Sequence, residues 1–211
     1  MTEVHMLPDV ADPSEDAGSD LPAIMASRIC HDIANPLGAI ANGVELLLLS
    51  GAQRTPELDL IAQSVEGANA RLRFFRLAFG AANGRVVGQR EITGLLRGLE
   101  KTSRFTYEWS PPGDHPREEV KAVFLLIQCV ESALPMGGRI RVSHGDGTWS
   151  VHAEGPRLRI NAPVWDSLGP RGQRAPEGSA LVQFALLPPV LRDLGRDLEL
   201  SLGPDRIEAQ F

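Results

Sequence analysis

Residues 26–47 read ASRICHDIANPLGAIANGVELL. Ala26, Cys30, Ile33, Leu37, Ile40, Val44 and Leu47 recur at alternating spacings of four and three, the apolar seam of an α-helix written in heptads. A second seam of the same kind runs through Leu58, Ile61, Val65, Ala68, Leu72, Phe75 and Phe79. Between them, SGAQRTPE supplies Gly51 to end the first helix, then Thr55 as N-cap and Pro56 as first helical residue of the second. The pattern predicts an antiparallel helical hairpin, its first helix over about 22–49 and roughly 42 Å long at 1.5 Å per residue. Two helices alone cannot bury two wide apolar faces. A second copy of the chain supplies the missing surface, so a homodimeric four-helix bundle is expected; docking of the hairpin on the rest of its own chain is the other solution.

Composition narrows the function. The 211-residue chain has a net charge of −6 and no Lys/Arg block, which argues against nucleic acid as a partner. Its two cysteines, Cys30 and Cys129, form no CxxC pair and sit in apolar helical stretches, as in a protein of the reducing cytoplasm. The apolar runs VELLLL (44–49) and AVFLLI (122–127) fall far short of the ~20 residues that span a bilayer. The N-terminus has neither a basic n-region nor an h-region, so no signal peptide and no membrane association are expected.

Four regions follow from the patterning. Residues 1–20 are acidic and aperiodic and read as a disordered tail; 21–82 form the hairpin; 83–90, rich in Gly and Asn, read as a linker; 91–211 alternate helices with strands. In the last region helices are expected at 91–100, 116–134 and 178–194, the last interrupted or kinked by Pro188-Pro189. Strands are expected where Phe105, Tyr107 and Trp109 alternate with polar residues, at 139–144 and 148–153 joined through Gly145-Asp146-Gly147, at 157–160, and near 196–201 and 206–211. Residues 166–177 read as a loop. The fold class is α+β, with helices on one face of a mostly antiparallel sheet.

The heptad register also places the chemistry. With Cys30 and Leu37 at position a and Ile33 and Ile40 at d, His31 and Gly38 fall at b, and Asn35 and Asn42 at f. His31 therefore points to solvent from a rigid helix, bordered by small residues and open to a convex partner. An exposed imidazole titrates near about 6.5, so its neutral form dominates at pH 7. Neutral imidazole is both nucleophile and leaving group, so it can accept a phosphoryl group and return it. Asp32, about 100° round the helix, is expected to orient the ring, hold a proton or meet a partner's basic group, without facing His31 directly. Pro36 predicts a bend and a freed carbonyl just after the histidine. Arg71, Arg73 and Arg76 read either as a solvated face or as docking groups for an acidic partner. A metal reading of His31-Asp32 needs further ligands, and His5, His115, His144 and His152 stand at unsuitable spacings.

HDIANP (31–36) resembles the H-box of dimeric sensor histidine kinases, a His followed by an acidic residue and by a Pro five positions on. The longer string RICHDIANPLGAIANGVELL (28–47) is similar to the ChpT family of histidine phosphotransferases, a resemblance that covers roughly residues 21–211. It implies His31 as phosphoacceptor, a hairpin that dimerises as a four-helix bundle, and a second domain resembling a histidine kinase ATP-binding domain that no longer binds nucleotide. It also implies transfer from the receiver domain of a hybrid histidine kinase to response regulators, with Mg²⁺ held by the receiver and no cofactor on this chain. The candidate site is then His31, with Asp32 and Asn35 shaping its surroundings and Arg28, Gly38, Asn42, Arg71 and Arg76 in docking. An ATP-using kinase of this type needs an Asn-bearing helix, but Asn35, Asn42, Asn69, Asn83 and Asn161 all lie outside 116–134. It also needs an Asp before a Gly-rich turn; in VHAEGPR (151–157) Ala153 stands in that place, and Arg157 where a Gly would be. ATP is therefore not expected. The alternatives are such a sensor-type kinase or a non-catalytic dimeric adaptor that binds response regulators.

Overall fold

In the computed structural model, residues 21–81, 84–169 and 178–211 are described. The expected tail 1–20 and positions 170–177 of the expected loop lie outside the described residues. Helix α1 spans Leu21–Leu49 and α2 spans Pro56–Phe79. Thr55 caps α2 as expected, its Oγ1 accepting from the Leu58 N–H at 3.3 Å, with Pro56 in the first turn. α1 runs through Pro36 without a break.

The second half is a five-stranded sheet covered by helices. Its order is β2 (Phe105–Trp109), β4 (Gly138–Gly145), β5 (Thr148–Glu154), β7 (Arg206–Gln210), β6 (Glu199–Leu202). All pairs are antiparallel except β2–β4, which is parallel because helix α4 (Arg117–Ala133) carries the chain back between them. Asp146 and Gly147 turn β4 into β5, both at positive φ (51° and 76°), the conformation that makes Asp-Gly a hairpin dipeptide. Phe105 and Tyr107 are buried while Thr106 and Glu108 are exposed, the alternation the sequence predicts.

α4 is apolar almost all round because it is enclosed on several sides. Val120, Ala122 to Ile127, Cys129, Val130 and Ala133 are all buried between the sheet, α2 and α6 (Val182–Asp193). Phe74 on α2 meets Phe124 on α4 at a ring-centroid distance of 4.8 Å, and both are fully buried. α3 (Gln89–Glu100) packs on α2, with Ile92, Leu95, Leu96 and Leu99 buried. Gly67 is where α2 passes the end of α3: a Cβ there would fall 2.4 Å from Thr102 Oγ1. The C-terminal half of the hairpin's second helix thus docks on its own chain, the solution that ranked second in the sequence.

Four expectations change. Residues 157–160 are not a strand; Arg159 N–H donates to Ala133 O, so this stretch seals the end of α4 while Leu158 and Ile160 pack against the core. The expected linker 83–90 contains a strand, β1 (Val86–Gly88), and the first two residues of α3; β1 pairs antiparallel with β3 (Asp114–Pro116). Ala162–Asp166, α5, enters the expected loop as a short helix, and Trp165 packs edge-on against Phe184 at 5.4 Å. α6 is continuous through Pro188-Pro189 and begins after a 3₁₀ turn at Ser179–Leu181.

Candidate functional site

His31 projects from the middle of α1 with 68% of its side chain exposed. The helix seam explains this: Cys30, one residue earlier, is buried against α2, with its thiol 3.9 Å from Leu72 O. Burial raises the Cys30 thiol pKa, against the lowering effect of Arg76, and burial does the same to Cys129, so both cysteines are packing groups.

Asp32 reaches His31 despite its position round the helix. Its Oδ1 lies 3.4 Å from His31 Nδ1 and its Oδ2 accepts from Arg28 Nε at 2.9 Å. The hydrogen bond with His31, then Arg28, holds the Asp32 carboxyl below the ordinary carboxylate value. With the Asp32 pKa depressed, this ion cluster persists above the ordinary carboxylate range and is lost as pH falls through the lower folded-state value. An NMR titration of the Asp32 carboxyl is expected to show a midpoint below 3.8, and His31→Ala, which removes the hydrogen bond, is expected to move it up. An unmoved midpoint would show that the two side chains are uncoupled.

His31 stands on the rim of a groove of about 870 Å³ between α1, α2 and the start of α3. Gly38 lines this groove, as do Arg73, Arg76 and Arg90. Glu91 is its one carboxylate among the described residues. None of the three arginines pairs with a described carboxylate, so the groove presents an excess of positive charge beside the imidazole. Asn35 and Asn42 are exposed on the outer side of α1, with Arg28 and Asp32, and do not line the groove.

Arg71 does not belong to this surface. Its guanidinium turns to the opposite side of α2, where it pairs with Glu131 of α4 at 3.1 Å and lies 5.5 Å from the Phe74 ring centroid. Tyr107 OH donates to the same Glu131; burial and that carboxylate raise the Tyr107 pKa strongly. Arg71 is therefore a brace between hairpin and sheet domain, not a docking group. A two-residue difference decides this: Arg73 and Arg76, three apart, share a face, whereas Arg71 is about 200° from Arg73. Ser27, Arg90 and Gly94 also border the groove. Arg90 and Gly94 reach it only through the packing of α3, so hairpin periodicity carries no signal for them. Among the described residues no three His, Cys, Asp or Glu side chains converge as a metal-ligand group.

Residues 89–206 match the family model described as the histidine phosphotransferase C-terminal domain. The protein phosphotransferase ChpT of Brucella abortus (strain 2308) is 36% identical over 151 residues, 67% of this chain and 70% of that protein. The chain belongs to the histidine phosphotransferase family. A solved bacterial phosphotransferase superposes on this histidine phosphotransferase with a TM-score of 0.64 and 25% identity, over 95% of this chain and 98% of that one. The shared fold includes the helical hairpin, which lies outside the matched C-terminal residues. No helix among the described residues is long and apolar enough to cross a membrane.

Proposed function

We propose that this histidine phosphotransferase works as a cytoplasmic relay between the receiver domain of a hybrid histidine kinase and response regulators, with His31 as the group that carries the phosphoryl. The observation that carries the reading is the exposed imidazole, Nδ1 against Asp32, at the edge of an arginine-rich groove. Asp32 accepting a proton-bearing Nδ1 leaves the Nε2 lone pair facing solvent. Nε2 attacks the phosphorus of a receiver's aspartyl phosphate; the N–P bond forms as the P–O bond breaks, and the aspartate leaves as a carboxylate. The reverse step loads the next receiver. Arg73, Arg76 and Arg90 would meet the acidic rim of the receiver and offset charge on the transferring group, which is what phosphoryl transfer most requires. Asn35 and Asn42 give a low polar surface, and Gly38 leaves nothing within 4 Å of where its Cβ would stand, room for an approaching helix.

Mg²⁺ would arrive with the receiver, whose own carboxylates hold it. α4 carries no asparagine, which supports a chain loaded by a phosphorylated partner and not by ATP. The α/β domain would brace the hairpin and widen the docking surface.

A homodimer is part of this reading. Ile33 and Ile40 are 45% and 47% exposed, Leu47 is 52% exposed, and Leu60 and Ile61 stand exposed beside them on α2. Such a continuous apolar face on one hairpin suits a second copy across a two-fold axis. Ile33→Asp combined with Ile40→Asp is expected to leave monomers by light scattering, while wild type elutes as dimers. Two dimers, or two monomers, would contradict the bundle.

The function itself is tested by mixing the purified chain with a phosphorylated receiver domain from a hybrid kinase. Acid-labile, alkali-stable label is expected on this chain within seconds to minutes. Binding without label would favour the adaptor, and label from ATP alone would favour the kinase.

A further inference from the structure

Beside the His31 groove lies a second, smaller pocket that shares Ser27, Arg76 and Glu91 with it. Its volume is about 360 Å³, at the lower end of the ~300–1,000 Å³ range of small-molecule sites. Arg76 from the end of α2, Arg85 from the segment before β1 and Arg117 from the start of α4 all line it, together with the Ser27 hydroxyl. Glu91 is its only acidic lining residue among those described.

Arg117 is built into the wall. Its Nε donates to Ala81 O at 2.8 Å, its Nη2 donates to Arg76 O at 2.7 Å, and its backbone N–H donates to Arg85 O at 2.8 Å. A guanidinium has five N–H donors, so three remain after these two side-chain bonds. The Arg76 and Arg85 side chains make no hydrogen bond and no ion pair with a described carboxylate. Three guanidinium groups around one cavity repel one another, and the half-burial of Arg117 makes that repulsion more costly than it would be in water. Burial, then Arg76, and less strongly Arg85, lower the Arg117 pKa, against the opposing effect of Glu91 and Glu118. A chain with this arrangement gains by admitting a compact anion. Guanidinium groups that line one cavity from three elements can meet the oxygens of a tetrahedral dianion, and a serine hydroxyl adds a further donor.

We propose that the pocket formed by Ser27, Arg76, Arg85 and Arg117 binds a phosphate dianion, either free orthophosphate or the terminal phosphate of a small phosphorylated compound. The ligand would be held from three elements at once: the end of the hairpin, the connecting segment and the first turn of α4. It therefore clamps the hairpin onto the α/β domain. Ser27 precedes His31 by four residues, about 6 Å along α1, so the clamp also fixes the turn that carries the phosphoacceptor. The proposal concerns binding alone and stands whether or not His31 relays a phosphoryl group.

The test uses the full chain, titrated with sodium phosphate against sodium chloride at matched ionic strength. Calorimetry and the Arg117 Nε–H resonance are the readouts. Saturable binding of one phosphate per chain is expected for the wild type. Arg85→Ala removes a side chain with no internal partner, so the protein stays folded and its dissociation constant is expected to rise roughly tenfold or more, the scale of one charge-assisted hydrogen bond. Arg192→Ala, the same charge change on α6, is expected to leave binding unchanged. Repeating the titration with a nucleoside triphosphate separates the sources: tighter binding identifies a phosphorylated small molecule, and equal or weaker binding identifies orthophosphate. A response that never saturates, that chloride reproduces, or that Arg85→Ala and Arg192→Ala weaken equally would overturn the proposal.

Discussion

His31→Gln is expected to lower phosphoryl uptake from a phosphorylated receiver by about 10³-fold or more while leaving the fold intact. The two halves of that expectation have separate grounds. The amide of Gln has the donors and acceptors to keep a polar contact with Asp32, but no lone pair basic enough to form a transferable N–P bond. Loss of the nucleophile removes the chemical step itself, and effects of that size are what such deletions give. Stability is another matter, because the His31 side chain is mostly in water and touches only Asp32 among the described polar partners. Exposed substitutions of this kind change stability by within about 0.5 kcal/mol. Binding to the receiver is expected to survive, since the groove arginines and Gly38 are untouched. Uptake that persists in His31→Gln would move the acceptor elsewhere. Loss of both uptake and binding would show that the imidazole acts as a docking group.

Phe74→Ala is expected to cost about 3–5 kcal/mol of stability, a large part of the roughly 5–15 kcal/mol of an ordinary domain. Phe74 is fully buried at the one place where the hairpin, α4 and the Arg71–Glu131 pair meet. Its ring lies tilted against Phe124 at 4.8 Å and edge-on to Phe75 at 6.3 Å, so its removal opens a cavity that none of these rings can fill by a rotamer change alone. The partly exposed Arg71–Glu131 pair is worth far less by itself, and its value depends on the packing around it. A urea titration read by fluorescence would show the midpoint fall by about 1–3 M at an ordinary slope. A loss under about 1 kcal/mol would mean that α2 does not depend on its dock.

The hairpin was legible because its signals are local and redundant. Two seams, a Gly stop and a Thr-Pro start agree with one another, and Thr55 and Pro56 do in the structure what their types suggest. The alternation of Phe105, Tyr107 and Trp109 and the turn at Asp146-Gly147 were legible for the same reason. What sequence patterning missed depends on tertiary contact. RLRI at 157–160 alternates like a strand, but its Arg159 N–H goes to Ala133 O and the stretch is spent on closing the end of α4. β1 and β3 are three residues each and exist only by pairing with one another across 28 residues of chain, from Val87 to His115. His31 was legible as an exposed group from the register alone. The register alone sets Asp32 apart from it, because helical angle predicts where a Cβ points and not where a flexible carboxylate ends. Arg90 is invisible to patterning, because only the packing of α3 on α2 brings it to the groove.

The central claim is that phosphoryl groups pass through His31 from one receiver to another. Its most direct measurement is a rapid-quench time course with a labelled phosphorylated receiver, this chain and a second, unlabelled receiver, with the site on this chain mapped by mass spectrometry. The account predicts that label appears on His31 first, then falls as the second receiver gains it, and that the second receiver stays unlabelled when the chain carries His31→Gln. Label that reaches the second receiver equally fast with His31→Gln, or that never passes through this chain, would contradict it.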